Sequence, residues 1–186
     1  MIYRRTNFIK LAQSVDIGYK VLFVENIFTN HIKNPLLNLC KRKRVLVVVD
    51  RKVFKIYGNL IIKFFHESNI DYLLHKLTAT EKNKNVNEVM RLCRLARTFG
   101  MKRNSYLIGI GGGITTDLVG FAASMYRRKI PYIRIPTTLV GLVDAGVGVK
   151  VGVNLNFSKN LLGAYHPPHV VFNDQTFLKT LTAKEI

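Results

Sequence analysis

The chain has 186 residues, 48% of them hydrophobic and 22% charged, which suits one well-buried domain and excludes wholesale disorder. No run approaches the roughly 18 consecutive apolar residues of a membrane-spanning helix, and the opening MIYRRTNFIKLAQSVDIGYK lacks the continuous apolar core of a signal peptide. Twenty-nine Lys and Arg against eleven acids give a formal charge of +18, and two cysteines, Cys40 and Cys93, argue against a disulfide scaffold and for a reducing, cytoplasmic setting.

Lys20–Glu25 (KVLFVE) reads as the first strand. The cationic run Lys41-Arg42-Lys43-Arg44 leads into a second, Val45–Asp50 (VLVVVD), whose lack of polar alternation suits a sheet covered on both faces. Lys52–Ser68 has a helical pattern, and Asp71–Leu77 returns as a strand. Val86, Val89, Met90, Cys93 and Ala96 fall at helical spacing, and Gly100 is placed to stop that helix. Tyr106–Ile110 is a further strand running straight into glycines; Leu118–Met125 is the next helix, Tyr132–Ile135 the next strand and Val170–Phe172 the last. Residues 138–165, rich in Gly, Val and Asn, show no clear period and read as a long irregular segment, functional or mobile. Strand alternating with helix predicts an α/β fold, a mostly parallel Rossmann-like sheet with helices on both faces, and no internal domain boundary. Ligands in such sheets bind beyond the carboxyl ends of the strands.

Several residue groups suit chemistry there. Gly109, Gly111, Gly112 and Gly113 lie between a strand and a helix, where backbone amides can approach a pyrophosphate; the alternative is a tight turn needing glycine dihedrals. Asp117 follows them, suited to a ribose or amide group or simply to the helix dipole. Asp50 ends a strand, as a ribose-binding acid or a turn aspartate does. Glu81 and Lys84 precede a helix and alone read as a surface loop. Asp144 and Lys150 stand in apolar, small-residue surroundings, where a charge is costly unless paired or functional. Arg127-Arg128 and Lys159-Asn160 add cations and an amide suited to a phosphate monoester. His166 and His169 are joined by a rigid Pro-Pro link with no neighbouring acid or cysteine ligand, which disfavours a metal. Aromatic residues are not interleaved with the cations, so nucleic acid is not the expected partner.

In order, GGGITTDLVGF, YRRKIPYIRIPTT, VDAGVGVKVGVN, KNLLGAYHPP and FLKTL resemble the sugar phosphate cyclases of the dehydroquinate synthase-like superfamily, as do VVVDRKV and TEKNK before them. The resemblance covers roughly residues 20–186. YRRKIPYIRIPTT, GLVDAG and Pro167-Pro168 are most similar to 2-epi-5-epi-valiolone synthases; desmethyl-4-deoxygadusol synthase and 3-dehydroquinate synthase are the alternatives, and an inactive nucleotide-binding or partner-binding remnant is the alternative of another class. The resemblance implies an N-terminal NAD-binding domain over 1–186, with 1–19 as an extension, and cyclisation of sedoheptulose 7-phosphate with loss of phosphate.

Carried over by position, Asp50, Glu81, Lys84, Gly112, Gly113, Ile114 and Asp117 match cofactor contacts, as do Thr137, Thr138, Lys159 and Thr180. Arg128, Asp144, Lys150 and Asn160 match the residues holding substrate and its phosphate, with Asp144 and Lys150 also catalytic. Lys129 departs from the glycine usual after that arginine. The resemblance further implies zinc or another divalent metal, held by ligands on a helical domain beyond residue 186, and a homodimer in the full-length enzyme.

Overall fold

The computed structural model describes residues 17–29 and 34–182. Strand β1 is Lys20–Val24, followed by the short helix α1 (Pro35–Cys40), and β2 is Val45–Asp50. Helix α2 (Arg51–Glu67) returns to β3 (Tyr72–Leu77), and α3 (Val86–Thr98) to β4 (Tyr106–Gly111). Next come α4 (Gly113–Met125), β5 (Tyr132–Pro136), β6 (Lys150–Leu155), β7 (Ser158–Tyr165) and β8 (Val170–Asp174). Six strands form one sheet in the order β1-β8-β5-β4-β2-β3, every neighbouring pair parallel.

Period-two alternation divides the core between the two faces. Val45, Val47 and Val49 pack with Ile108, Ile110, Ile61, Phe64 and Phe65 on the α2 side. Leu46 and Val48 pack with Leu107, Leu92, Ala96, Leu118 and Val119 on the side of α3 and α4. Strands β2 and β4 are adjacent, yet α2 leaves β2 on one face while α4 leaves β4 on the other. The chain therefore diverges beyond their carboxyl ends, the place where open α/β sheets leave a crevice.

Two expectations are corrected. Helix α4 begins at Gly113, five residues before Leu118, because the glycines are themselves its N-terminus. Residues 138–165 are not irregular. Gly141–Ala145 form a single π-type turn, and β6 and β7 pair antiparallel as a hairpin that lies on α4. Among the described residues no helix is long and apolar enough to cross a membrane. Both cysteines are free, and burial pushes the Cys40 thiol up to about 12, which makes it inert as a nucleophile.

Candidate cofactor cleft

Beyond the carboxyl ends of β2, β4 and β5 lies a cleft of about 470 Å³. One wall is the start of α4. Gly112 occupies the N-cap position, no side chain caps the helix, and Gly112, Gly113 and Ile114 line the cleft. The first-turn amides of α4 therefore lack a capping side chain, at the end of the helix where its dipole favours an anion. Thr137 and Thr138 follow β5 on the second wall. Asp50 ends β2 on the third, its Oδ1 accepting from the Lys52 amide at 2.8 Å, so it caps α2 while lining the cleft. Thr180 closes the fourth from the turn Gln175–Thr180, where its Oγ1 lies 2.9 Å from Tyr57 Oη.

None of Gly109, Gly111, Gly112 or Gly113 has positive φ; among the described glycines only Gly100 does. The glycines thus serve close approach rather than turn dihedrals. A Cβ on Gly111 would meet Thr115 Oγ1 at 2.5 Å, and one on Gly112 would meet Thr138 Cγ2 at 3.1 Å. Thr115 Oγ1 is buried without a hydrogen-bond partner beside the cleft.

A second, adjoining cluster gathers other expected residues. Lys84 Nζ donates to Asp117 Oδ2 at 2.5 Å and to Asn160 Oδ1 at 2.6 Å. Asn154 ties the hairpin to this loop: its amide donates to Lys84 O at 2.8 Å and its Nδ2 to Glu81 Oε1 at 2.8 Å. Lys84 is 7% exposed. Burial pushes the Asp117 carboxyl above its ordinary value, opposed by Lys84 and by the charge of Arg134. Asp117 lies one helical turn past Gly113, and Ala79, which lines the cleft, is two residues before Glu81.

Other expected residues are not brought together. Arg128 lies at the far end of α4, about 20 Å along the helix axis from Gly113, at the amino edge of the sheet. It is not among the residues that line the cleft. Asp144 and Lys150 are both exposed, so the apolar surroundings read from the sequence do not desolvate them. Val151 and Val153 are buried in β6 while Lys150 is exposed at its start. Lys159 is exposed on β7. Residues not anticipated from sequence include Val53, Ile56 and Tyr57 of α2, which line the cleft; Ile56, 56% exposed and off the buried stripe of Ile61, Phe64 and Phe65, was the available signal.

An all-parallel six-stranded sheet, with a glycine-started helix at the carboxyl ends of its strands, defines a Rossmann-like α/β domain. Residues 74–186 match the family described as 3-dehydroquinate synthase N-terminal, and the chain belongs to that family. It is 42% identical over 172 residues to a 2-epi-5-epi-valiolone synthase of Streptomyces glaucescens, covering 90% of this chain and 44% of that one. A demethyl-4-deoxygadusol synthase of Trichormus variabilis is 41% identical, covering 91% and 42%. The solved 2-epi-5-epi-valiolone synthase ValA of Streptomyces hygroscopicus subsp. jinggangensis, with NAD+ and Zn2+ bound, superposes with a TM-score of 0.89 at 35% identity, covering 95% of this chain and 48% of that one. The chain thus spans about half the length of the relatives it matches.

Proposed function

We propose that this chain is the NAD-holding part of a sugar phosphate cyclase of the 2-epi-5-epi-valiolone synthase type, acting on sedoheptulose 7-phosphate with elimination of phosphate. The observation that carries the reading is the uncapped, glycine-started N-terminus of α4 facing a cleft shared by Asp50, Thr137, Thr138 and Thr180. Its likeness to an enzyme solved with NAD+ supports the same reading. Held there, NAD would supply a reversible hydride acceptor for a carbinol C–H of the substrate, the hydroxyl proton leaving separately.

The α4 amides and the side chains of Thr137 and Thr138 would receive the pyrophosphate, and Asp50 would accept from a ribose hydroxyl. Thr180 and Lys159 complete the proposed cofactor contacts. Lys84 has two of its three N–H bonds engaged, by Asp117 and Asn160, which leaves the third for the proposed cofactor contact. Asn160, Asp144 and Lys150 are the proposed substrate-holding residues, with Asp144 and Lys150 contacting the sugar from the surface. Arg128 would serve a site other than its own chain's, which accords with a homodimer.

Among the described residues no three His, Cys, Asp or Glu side chains converge to hold a metal.

Calorimetric titration with NAD+ tests the cofactor reading: saturable binding that Gly112→Val weakens supports it, and no binding sinks it. A second reading, demethyl-4-deoxygadusol synthase, is favoured by the 41% identity to that enzyme. Analysis of the product formed from sedoheptulose 7-phosphate by the complete enzyme separates the two.

A further inference from the structure

Asn154 does not line the cofactor cleft, yet its bonds go to residues proposed to act there. Along the hairpin, Val153 pairs with Leu162 and Leu155 with Ser158, so Asn154 stands opposite residues 159–161. This bulge takes Asn154 out of the β6–β7 ladder and turns it toward the loop before α3. There it forms a parallel bridge with Asn85, and its backbone amide donates to Lys84 O at 2.8 Å.

The side chain engages two further residues. Its Oδ1 accepts from the Asn160 amide at 2.9 Å, and its Nδ2 donates to Glu81 Oε1 at 2.8 Å. The partners fix the orientation of the amide, because a backbone N–H only donates and a carboxylate only accepts. Asn160 has a φ of 51°, a left-handed conformation that asparagine tolerates. In that conformation its amide reaches Asn154 while its own Oδ1 accepts from Lys84 Nζ at 2.6 Å. The bonds Lys84–Asn154, Asn154–Asn160 and Asn160–Lys84 thus close a ring around a buried ammonium. A short planar amide suits the position, since it carries a donor and an acceptor on separate atoms; aspartate lacks the donor and alanine lacks both.

We propose that Asn154 is a positioning residue for the cofactor. It locks Glu81 and the Lys84 ammonium to the hairpin that carries Lys150 and Asn160, and so fixes the proposed cofactor contacts relative to the proposed substrate-holding ones. The inference rests on the reading of Glu81 and Lys84 as cofactor contacts.

Calorimetric titration of the full chain with NAD+ tests it. Asn154→Ala removes both side-chain bonds and should weaken NAD+ at least about fivefold. Asn154→Asp keeps the acceptor for Asn160 but sets a second carboxylate against Glu81, and should weaken NAD+ at least as much. Glu81→Gln then restores a donor opposite the new acid. Compared with Glu81→Gln alone, the double variant should differ in affinity by less than about twofold. A residue serving stability alone would lower the unfolding midpoint without moving the affinity of the folded chain. Unchanged NAD+ affinity in Asn154→Ala therefore overturns the proposal while leaving the cofactor reading in place. A penalty from Asn154→Asp that persists in the Glu81→Gln background also overturns it, because the side chain would not act through Glu81. If Asn154→Ala does not fold, the comparison of Asn154→Asp with and without Glu81→Gln decides. No binding of NAD+ by the unaltered chain withdraws the cofactor reading and this inference together.

Discussion

Gly112 has φ −77° and ψ −171°, extended backbone that any residue adopts, so a side chain there adds no conformational strain. What it adds is bulk at the mouth of the cofactor cleft, against Thr138. Gly112→Val should therefore leave the unfolding midpoint nearly unchanged while weakening NAD+ at least about tenfold by titration calorimetry. The Lys84–Asp117 pair makes a different residue-scale claim. Lys84 is buried and Asp117 is partly so, and removing the acid leaves an ammonium with only Asn160 for a partner. Asp117→Asn should cost about 2 kcal/mol in urea unfolding, and adding Lys84→Met should cost less than the sum of the two single changes. Strict additivity would show the pair to be uncoupled. The sequence offered both residues as candidates but not their contact, because thirty-three positions separate them and only folding brings the loop before α3 beside α4.

The elements were legible wherever apolar residues repeat with a clear period. VLVVVD and the α3 stripe announced a doubly covered strand and an amphipathic helix, and both lie where expected. The hairpin was not legible, for reasons its structure makes plain. Its turn is Asn156-Phe157 rather than the Asn-Gly that marks such loops, with Asn156 alone supplying positive φ. Along β7, Leu162 and Ala164 pack inward while the equally apolar Leu161 and Tyr165 are exposed, so apolar residues stand on both faces and the alternation is not readable from the sequence. The hairpin is held instead by how closely α4 lets it approach. A Cβ on Gly120 would meet Val151 Cγ1 at 2.5 Å and the Tyr132 ring at 3.1 Å. Gly120→Ala should therefore destabilise the chain by about 1–3 kcal/mol, although alanine is the better helix former. A variant that is more stable by thermal unfolding would mean the hairpin moves freely on α4.

Across the whole molecule the parallel sheet separates two chemistries. Strand ends supply Asp50 and the glycines on the carboxyl side, while strand beginnings carry Lys43, Arg44, Lys129 and the histidines His166 and His169. The sequence showed the total of +18 but not this polarity, which depends on every strand running the same way.

Two histidines, one buried and one half-buried, couple this architecture to pH. His75, on edge strand β3, lies 3.4 Å from Glu88 of α3, and His166 lies under the amino edge. Burial is the main cause that lowers both pKa values. Glu88 opposes it at His75, with Arg91 and Arg51 reinforcing it; the Ile130 carbonyl opposes it at His166, with Lys129 and Arg134 reinforcing it. A folded-state pKa below the unfolded one means that the unfolded chain binds the proton first as pH falls. The stability these rings contribute is therefore complete above about pH 6.5, the ordinary histidine value, and is lost as pH drops below it. At constant ionic strength, the urea midpoint should fall between pH 7.5 and pH 5.5. His75→Gln should reduce that fall, since glutamine occupies the same polar site without titrating. A fall that His75→Gln leaves unchanged or enlarges would mean that the ion pair with Glu88 offsets burial at His75.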